Sequence, residues 1–230
     1  MNENSRAKIT YVSLTDECYA RLKDDILNNV LQWGEQLDVT RIAKDFGVSR
    51  SPVVKAIERL NCEGLVEIRP NKGSFVRTPT QKDILEICEL RMAIEAMTIE
   101  LAYQKHRDEL LAKLAEHDRA ISGYEEKGEE VPEDVFLKYD RDFHWIFTTY
   151  ADNRHILETI DMIRNQVELF RIRTYSLVKA KQSIERHRAV VRCLKEDRLA
   201  DAIQILRQHI AEVCEFAMET IGTAIPDGDQ

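Results

Sequence analysis

Four residues, one aspartate and three histidines, are of types that bind metals and lie on helix faces that the sequence pattern predicts to be buried. Asp140 and His144 lie one helical turn apart in a phenylalanine-rich stripe, so their side chains point the same way. His187 and His209 stand 22 residues apart, each in the apolar stripe of a later segment. A buried carboxylate needs a partner, and either a shared divalent metal or a metal-free pocket with an Asp–His hydrogen bond would supply one. The spacing alone leaves both arrangements open.

The other histidines and the cysteines give weaker signals. His117 lies at the edge of an apolar stripe, and His106 and His155 lie near predicted helix ends. The five cysteines show no paired spacing such as CxxC, and most fall among apolar helical residues. This pattern is typical of reduced core thiols, so we expect a cytoplasmic protein without disulfides.

The segment that contains the four metal-binding types is predicted to be helical throughout. Thr80 and Asp83 resemble a capping box that opens a long helix. Asn153 and Asp197 are further predicted N-caps. The predicted breaks fall near 105–107, 126–134, 152–153, 175–180 and 195–198. Residues 79–230 are therefore predicted to form an all-helical antiparallel bundle.

Upstream, the stretch FGVSRSPVVKAIERLNCEGLV (46–66) predicts one short helix with a polar N-terminal end. Ser49 is a good N-cap, Pro52 fits the first turn, and Gly64 suits the position just past the last turn. The apolar residues share one face, whereas the basic residues point in other directions. A helix of this kind can pack on one side and insert its polar end into a groove.

The flanking elements indicate that the groove belongs to DNA. Helices are predicted over 15–31 and 39–46, and LVEIRPNKGSFVRT is typical of two short strands around a PNKG turn. Helix, helix, turn, helix and hairpin is the order of a winged helix-turn-helix. We place this DNA-binding domain at residues 1–78. The predicted fold is thus mainly α, with a winged helix-turn-helix followed by the helical bundle.

The charge distribution supports a dedicated DNA-binding module. The chain carries a net charge of −8, yet residues 40–78 hold eight Lys and Arg against four Asp and Glu. No apolar run approaches the roughly 18 residues of a membrane span. Double-stranded DNA is therefore an expected partner, and a membrane is not.

The stretch VTRIAKDFGVSRSPVVKAIERLNCEGLVEIRPNKGSFV resembles the winged-helix domain of the GntR family of bacterial transcription regulators. The resemblance implies a homodimer on a palindromic operator, with recognition helices in successive major grooves. It places Arg50 at a guanine edge, and Lys72 and Gly73 at the wing tip. The chain has Thr40 and Val54 where the family often has arginine. The implied DNA-binding residues are Thr40, Arg41, Ser49, Arg50, Ser51, Lys55, Lys72 and Gly73.

Residues 80–222 resemble the FCD effector domain of the FadR-type branch of this family. DRDFH supplies the Asp-x-x-x-His pair, ERH and RQH supply the two later histidines, and ELRMAIE matches the usual opening of the domain. The resemblance implies a divalent metal, zinc or nickel, and a cavity for a small carboxylate effector. Arg91 and Arg171 are the candidate effector contacts. The implied metal ligands are Asp140, His144, His187 and His209.

These features together favour a ligand-responsive bacterial transcription regulator, most often a repressor in this family, and not an enzyme. The alternative is a metal-dependent hydrolase with a DNA-binding-like accessory domain, because three histidines and an aspartate with an open position can activate water. The sequence offers no general base on a neighbouring stripe and no acyl-transfer motif. A pure oligomerisation scaffold would leave a buried Asp140 unexplained.

Overall fold

The computed structural model describes residues 13–171 and 173–224, and the chain divides into two compact units, Met1–Thr78 and Pro79–Gln230. Helices dominate both units, and one antiparallel hairpin accompanies them among the described residues. This confirms the predicted fold class. Across the described ranges, we find no helix that is both long and apolar enough to cross a bilayer.

The first unit is a winged helix-turn-helix. Its helices are α1 (Leu14–Leu27), α2 (Val39–Phe46) and α3 (Arg50–Cys62), and its strands are β1 (Val66–Arg69) and β2 (Gly73–Val76). Both α1 and α2 pack on α3, and β1 packs on the same helix. Every element contributes to the core, whose buried side chains include Leu22, Ala43, Val53, Ile57, Leu60, Val66 and Val76.

The first helix is shorter than its predicted span of 15–31. It ends at Leu27, because Asn28 occupies the C-cap and Asn29 adopts a left-handed φ of 59°. Val30 continues the four-residue spacing of the buried stripe but is 66% exposed. A four-residue apolar spacing indicates a buried face only inside a helix. The pattern therefore extended the predicted helix beyond its actual end.

The wing is a tight hairpin, as predicted from the PNKG sequence. The Lys72 N–H donates to the Arg69 carbonyl at 3.1 Å and closes a turn over Pro70 and Asn71. Pro70 suits the second position of such a turn, and Asn71, with φ of 59°, supplies the left-handed third position. Arg69 pairs with Gly73 in the strand register.

The second unit is a helical bundle built around its first helix. α4 (Gln81–Glu126) packs against α5 (Glu133–Tyr150), α6 (Arg154–Arg171) and α8 (Leu199–Ala224), and α7 (Leu177–Lys195) packs mainly on α8. His106 interrupts α4 with non-helical dihedrals (φ −141°, ψ 41°), where a break was predicted. The long helix is therefore two helical segments joined by a kink.

Two of the three predicted caps in this unit are confirmed. The Thr80 N–H donates to the Asp83 carboxylate at 2.9 Å, and the Asp83 N–H donates to the Thr80 hydroxyl at 3.1 Å. The Asn153 side-chain oxygen accepts from backbone N–H groups in the first turn of α6. Asp197 is not a cap: it has φ of 58°, and its carboxylate accepts from the Tyr103 hydroxyl instead.

Candidate DNA-binding surface and metal centre

The N-terminal end of α3 presents polar side chains to solvent. Ser49, Arg50, Ser51 and Lys55 are exposed, whereas Val53 is fully buried against the core. Ser49 takes the N-cap position with an extended backbone, but its side chain makes no capping hydrogen bond. The first N–H groups of the helix can therefore donate to phosphate oxygens, for which a helix N-terminus is well suited.

The start of α2 carries a further exposed cation. The Asp38 carboxylate caps the helix and accepts from the N–H groups of Thr40 at 2.8 Å and Arg41 at 3.1 Å. The exposed Arg41 guanidinium lies 3.8 Å from Asp45. An exposed pair of this kind contributes little stability, so Arg41 can exchange Asp45 for a phosphate.

Lys72 and Gly73 are exposed at the wing tip. Gly73 has φ of 113°, and a Cβ there would lie 2.9 Å from the amide nitrogen of Gln36, which donates to the Lys72 carbonyl. The backbone geometry of the wing therefore requires glycine at this position. All eight predicted DNA-binding residues lie exposed in one unit, and their roles remain predictions.

Asp140, His144, His187 and His209 converge from α5, α7 and α8, with one ligand atom of each within 4.8 Å of the others. The Nε2 atoms of His187 and His209 are 3.2 Å apart, and Asp140 Oδ1 lies 3.5 Å from the first and 4.0 Å from the second. His144 Nε2 lies 3.8 Å from Asp140 Oδ2. Ligand atoms about 2.1 Å from one ion lie roughly 3–3.5 Å from each other, so small movements suffice for all four to reach a common ion.

The hydrogen bonding of this cluster fits a metal better than a metal-free pocket. The His187–His209 contact can satisfy one pair of ring nitrogens. The Nε2 atom of His144 is buried and has no hydrogen-bond partner in the described part of the chain. A divalent ion would take its lone pair, and imidazoles with one carboxylate are a donor set that suits zinc or nickel.

Glu95 of α4 orients His144. Its Oε2 lies 2.5 Å from His144 Nδ1, so a proton on Nδ1 leaves the Nε2 lone pair facing the cluster. Arg91, one turn earlier, donates to Glu95 Oε1 at 2.7 Å. Burial opposes the ionisation of Glu95, but Arg91 and His144 outweigh it and lower the pKa of this carboxyl to about 2.

Arg171 supports Asp140 in a similar way. Its Nη2 lies 2.8 Å from Asp140 Oδ2, and its Nη1 donates to Glu168 at 3.3 Å. Burial alone would raise the pKa of Asp140, but Arg171 and the surrounding histidines hold it well below its ordinary value. Asp140 is therefore ionised, as a metal ligand must be.

Burial keeps two of the histidines neutral. Desolvation lowers the pKa of His187 well below its ordinary value and lowers the pKa of His209 to about 3, against the attraction of Asp140. A neutral imidazole has the lone pair that a metal needs, whereas a protonated one has none. These two residues are thus ready to bind a cation at neutral pH.

A small cavity opens beside the cluster. Asp140, His144 and His209 border it, together with both predicted effector contacts, Arg91 and Arg171. Its volume is about 50 Å³, where one water needs about 10–15 Å³. A carboxylate with a short substituent fits this space. The wall also carries the polar side chains of Thr174, Tyr175, Ser176, Gln182 and Ser183.

Sequence reasoning placed both arginines at this cavity but missed the carboxylates that hold them. Glu95 follows Arg91 by four residues on the buried face of α4, and Glu168 precedes Arg171 by three residues in α6. All four side chains are at least nine-tenths buried. An acidic residue one turn from an inward arginine was the available signal, because a buried guanidinium needs a partner.

Comparisons with protein families match both units. The FCD domain matches residues 86–212, and the family described as bacterial regulatory proteins, gntR family, matches residues 14–76. The first match contains the four clustered residues and both arginines. The second contains every residue of the candidate DNA-binding surface.

Individual relatives are similar to this chain over most of its length. YdhC, an uncharacterized HTH-type transcriptional regulator of Bacillus subtilis strain 168, is 28% identical over 86% of this chain and 88% of its own. The HTH-type transcriptional repressor RspR of Escherichia coli K12 is 25% identical over 88% of each chain. A solved GntR structure from Rhodococcus sp. RHA1 covers 90% of this chain and 99% of its own, with a TM-score of 0.70 at 20% identity, and supports the fold.

Proposed function

The chain belongs to the GntR family of bacterial DNA-binding transcription regulators and carries an FCD domain, and on this basis we propose that it is a metal-dependent regulator controlled by a small carboxylate. The proposal depends above all on the convergence of Asp140, His144, His187 and His209, in which His144 Nε2 has no hydrogen-bond partner among the described residues. A bound metal would offer an open position to a carboxylate oxygen. The relatives are regulators rather than enzymes, so the hydrolase alternative is set aside.

The buried charges favour a singly charged effector. In the described part of the chain, the buried ionised side chains carry a net charge of −1 when the imidazoles are neutral. A divalent ion would change this to +1, and a monocarboxylate would then restore neutrality, which a buried site favours. The metal should bind first, because it would supply the open coordination position for the carboxylate. The buried ionised residues are Arg91, Glu95, Asp140, Glu168 and Arg171.

Arg91 is better placed than Arg171 to bind the effector. Its Nε donates to Glu95, and neither of its Nη atoms has a hydrogen-bond acceptor among the residues that the structure describes. Arg171 instead directs one Nη at Asp140 and the other at Glu168. The unused Nη groups of Arg91 can donate to a carboxylate oxygen, and charge-assisted bonds of this kind are the strong ones.

One part of the remaining cavity wall favours an effector that carries hydroxyl groups, whereas Phe136, Leu137, Val213 and Phe216 form an apolar part. Hydroxyl and amide side chains of the segment between α6 and α7 and of the first turns of α7 border the cavity. Convergent polar groups in a small pocket select ligands with matching donors and acceptors. Small hydroxy monocarboxylic acids are therefore the first effectors to test.

The DNA-binding half is proposed to act as a repressor that binds as a homodimer. RspR, one of the relatives, is a repressor. One winged unit presents a single recognition helix, and two copies on a two-fold symmetric operator would double the contacts. Binding of the acid would change the equilibrium between DNA-bound and free regulator, which is a coupling between two distinct sites.

Selection of DNA from a random library, followed by fluorescence anisotropy, tests this function. The metal-loaded protein should select a two-fold symmetric sequence, and a hydroxy monocarboxylate should change its affinity for that sequence only when metal is present. A protein without sequence preference would contradict the regulator assignment for the winged unit. An acid response that survives complete chelation would contradict the role of the metal.

A further inference from the structure

A second cavity in the helical unit is not used by the proposed function. It lies between α4, α5 and α7 and has a volume of about 370 Å³. No residue borders both this cavity and the one beside the metal cluster. Sites for small organic ligands typically measure about 300–1,000 Å³, so this one is large enough. We call it the α4–α7 groove, bordered by Leu114 of α4, Phe143 of α5, and Val191, Arg192 and Lys195 of α7.

Positive charge accumulates along one side of the α4–α7 groove. Arg188 is paired with Asp118 at 2.8 Å, so these two charges compensate each other. Arg192 and Lys195 lie exposed in the last turn of α7, and neither side chain forms an ion pair with any described residue. The groove therefore presents two uncompensated cations, which favour an anion.

The floor and the facing wall are apolar and aromatic. Phe143 stacks on His187 with ring centroids 3.7 Å apart, and His117 stacks on Tyr139 at 4.2 Å. Leu114 faces these rings from α4. Such a surface favours a flat apolar body rather than a simple inorganic ion.

His187 adds a buried polar atom at the floor. Of the four clustered residues, only His187 borders the α4–α7 groove. Its Nε2 faces Asp140 and His209, and its buried Nδ1 has no hydrogen-bond partner within the described ranges. A histidine that binds metal through Nε2 carries its proton on Nδ1 and usually donates it to an oxygen.

We propose that the α4–α7 groove is a second ligand site, separate from the metal cavity, for an amphiphilic organic anion. The anionic group of the ligand pairs with Arg192 and Lys195. Its apolar body lies against Leu114, Val191 and the aromatic floor. The site extends beyond the proposed regulatory function, which requires only the metal cavity.

The aromatic sulfonate 8-anilinonaphthalene-1-sulfonate is a suitable probe, because its fluorescence rises when it leaves water. The metal-loaded protein should bind one probe per chain in a saturable manner. Replacing both cations, Arg192→Gln with Lys195→Gln, should weaken binding at least tenfold. Ala115→Phe should do the same by filling the groove from α4 without a change in charge.

Matched controls separate the groove from general surface effects. Arg207→Gln with Lys127→Gln removes two exposed cations outside the groove, and Ala112→Phe adds a ring to the exposed face of α4 outside it. Both controls should bind the probe like the wild type. Binding that neither groove variant weakens would overturn the proposal, and so would a wild-type protein without saturable binding.

Discussion

At the scale of single residues, the helical unit contains two short series of contacting side chains. Each series begins at an arginine and ends at one of the four clustered residues. Arg91 holds Glu95, which orients His144, and Arg171 holds Asp140 directly. Every buried charge in these series has an opposite charge within hydrogen-bond distance. Arrangements of this kind fix the direction of each donor atom before a metal binds, so that ordering the site costs little of the metal's binding free energy.

The role of Arg91 can be tested without removing its charge. Arg91→Lys keeps a cation beside Glu95 but loses the Nη groups proposed to bind the effector. We expect the affinity for a hydroxy monocarboxylate to fall roughly tenfold, while metal content stays at the wild-type level. Isothermal titration calorimetry measures the first and elemental analysis the second. Arg119→Lys, an exposed site on the same helix, serves as the control. Unchanged effector affinity in Arg91→Lys would remove Arg91 from the effector site.

Substitutions of Arg50 and of Lys72, two predicted DNA-binding residues, should affect DNA binding in different ways. Arg50→Ala should cost about 1–3 kcal/mol of specific binding and relax the preference at one position of each half-site, because Arg50 is predicted to read a base. Lys72→Ala should weaken binding to all sequences and reduce its salt dependence, because a wing lysine contacts phosphate. Anisotropy titrations over a panel of single-base operator variants measure both. The recognition-helix assignment is wrong if Arg50→Ala keeps wild-type affinity and preference.

At the scale of elements, the three helices that supply the clustered residues come together only in the folded unit. α5, α7 and α8 contribute side chains to one small volume, and an unfolded chain cannot preform such a site. A metal bound there would join the three helices, and its binding free energy would add to the stability of the unit.

Removal of the metal should therefore loosen these helices selectively. Amide hydrogen exchange should become faster in α5, α7 and α8 after chelation, by roughly tenfold or more, whereas exchange in α1 and α3 of the winged unit should not change. Mass spectrometry of peptic fragments locates the difference. Equal exchange with and without chelator in all helices would show that no metal stabilises the bundle.

Local signals predicted most elements correctly, because their causes lie within a few residues. Pro70 and Asn71 dictate the wing turn, and Thr80 with Asp83 dictates the start of α4. Asp197 failed as a predicted cap because Tyr103, more than ninety residues away in the chain, engages its carboxylate. The contact between Glu95 and His144 was missed for a related reason, because His144 belongs to another helix. The Arg91–Glu95 pair did have a local signal, since the two residues lie one turn apart on α4. Contacts between distant segments have no local signature.

At the scale of the whole molecule, the two proposed functions fall in separate units. The candidate DNA-binding residues all lie in Met1–Thr78, and the four candidate metal ligands and the cavity beside them all lie in Pro79–Gln230. A regulator with this division needs a means of transmitting the state of the effector site to DNA. In a dimer, the spacing of the two recognition helices is the natural variable, because half-site spacing determines whether both can bind.

A dimer is therefore expected both free and on DNA. Size-exclusion chromatography with light scattering should give twice the mass of the 26.7 kDa chain. Footprinting on the selected operator should show two protected half-sites about one helical turn apart. A monomer in both states would contradict the proposed mode of DNA binding.

The most direct test of the metal-dependent account is calorimetric titration of chelator-treated protein with zinc and with nickel. One ion per chain should bind tightly to the wild type. His209→Gln should abolish that binding or weaken it by at least a hundredfold, whereas His155→Gln, which changes an exposed histidine outside the cluster, should leave it unchanged. Failure of the wild type to bind either ion, or binding that survives His209→Gln, would show that the four converging residues form a metal-free polar pocket.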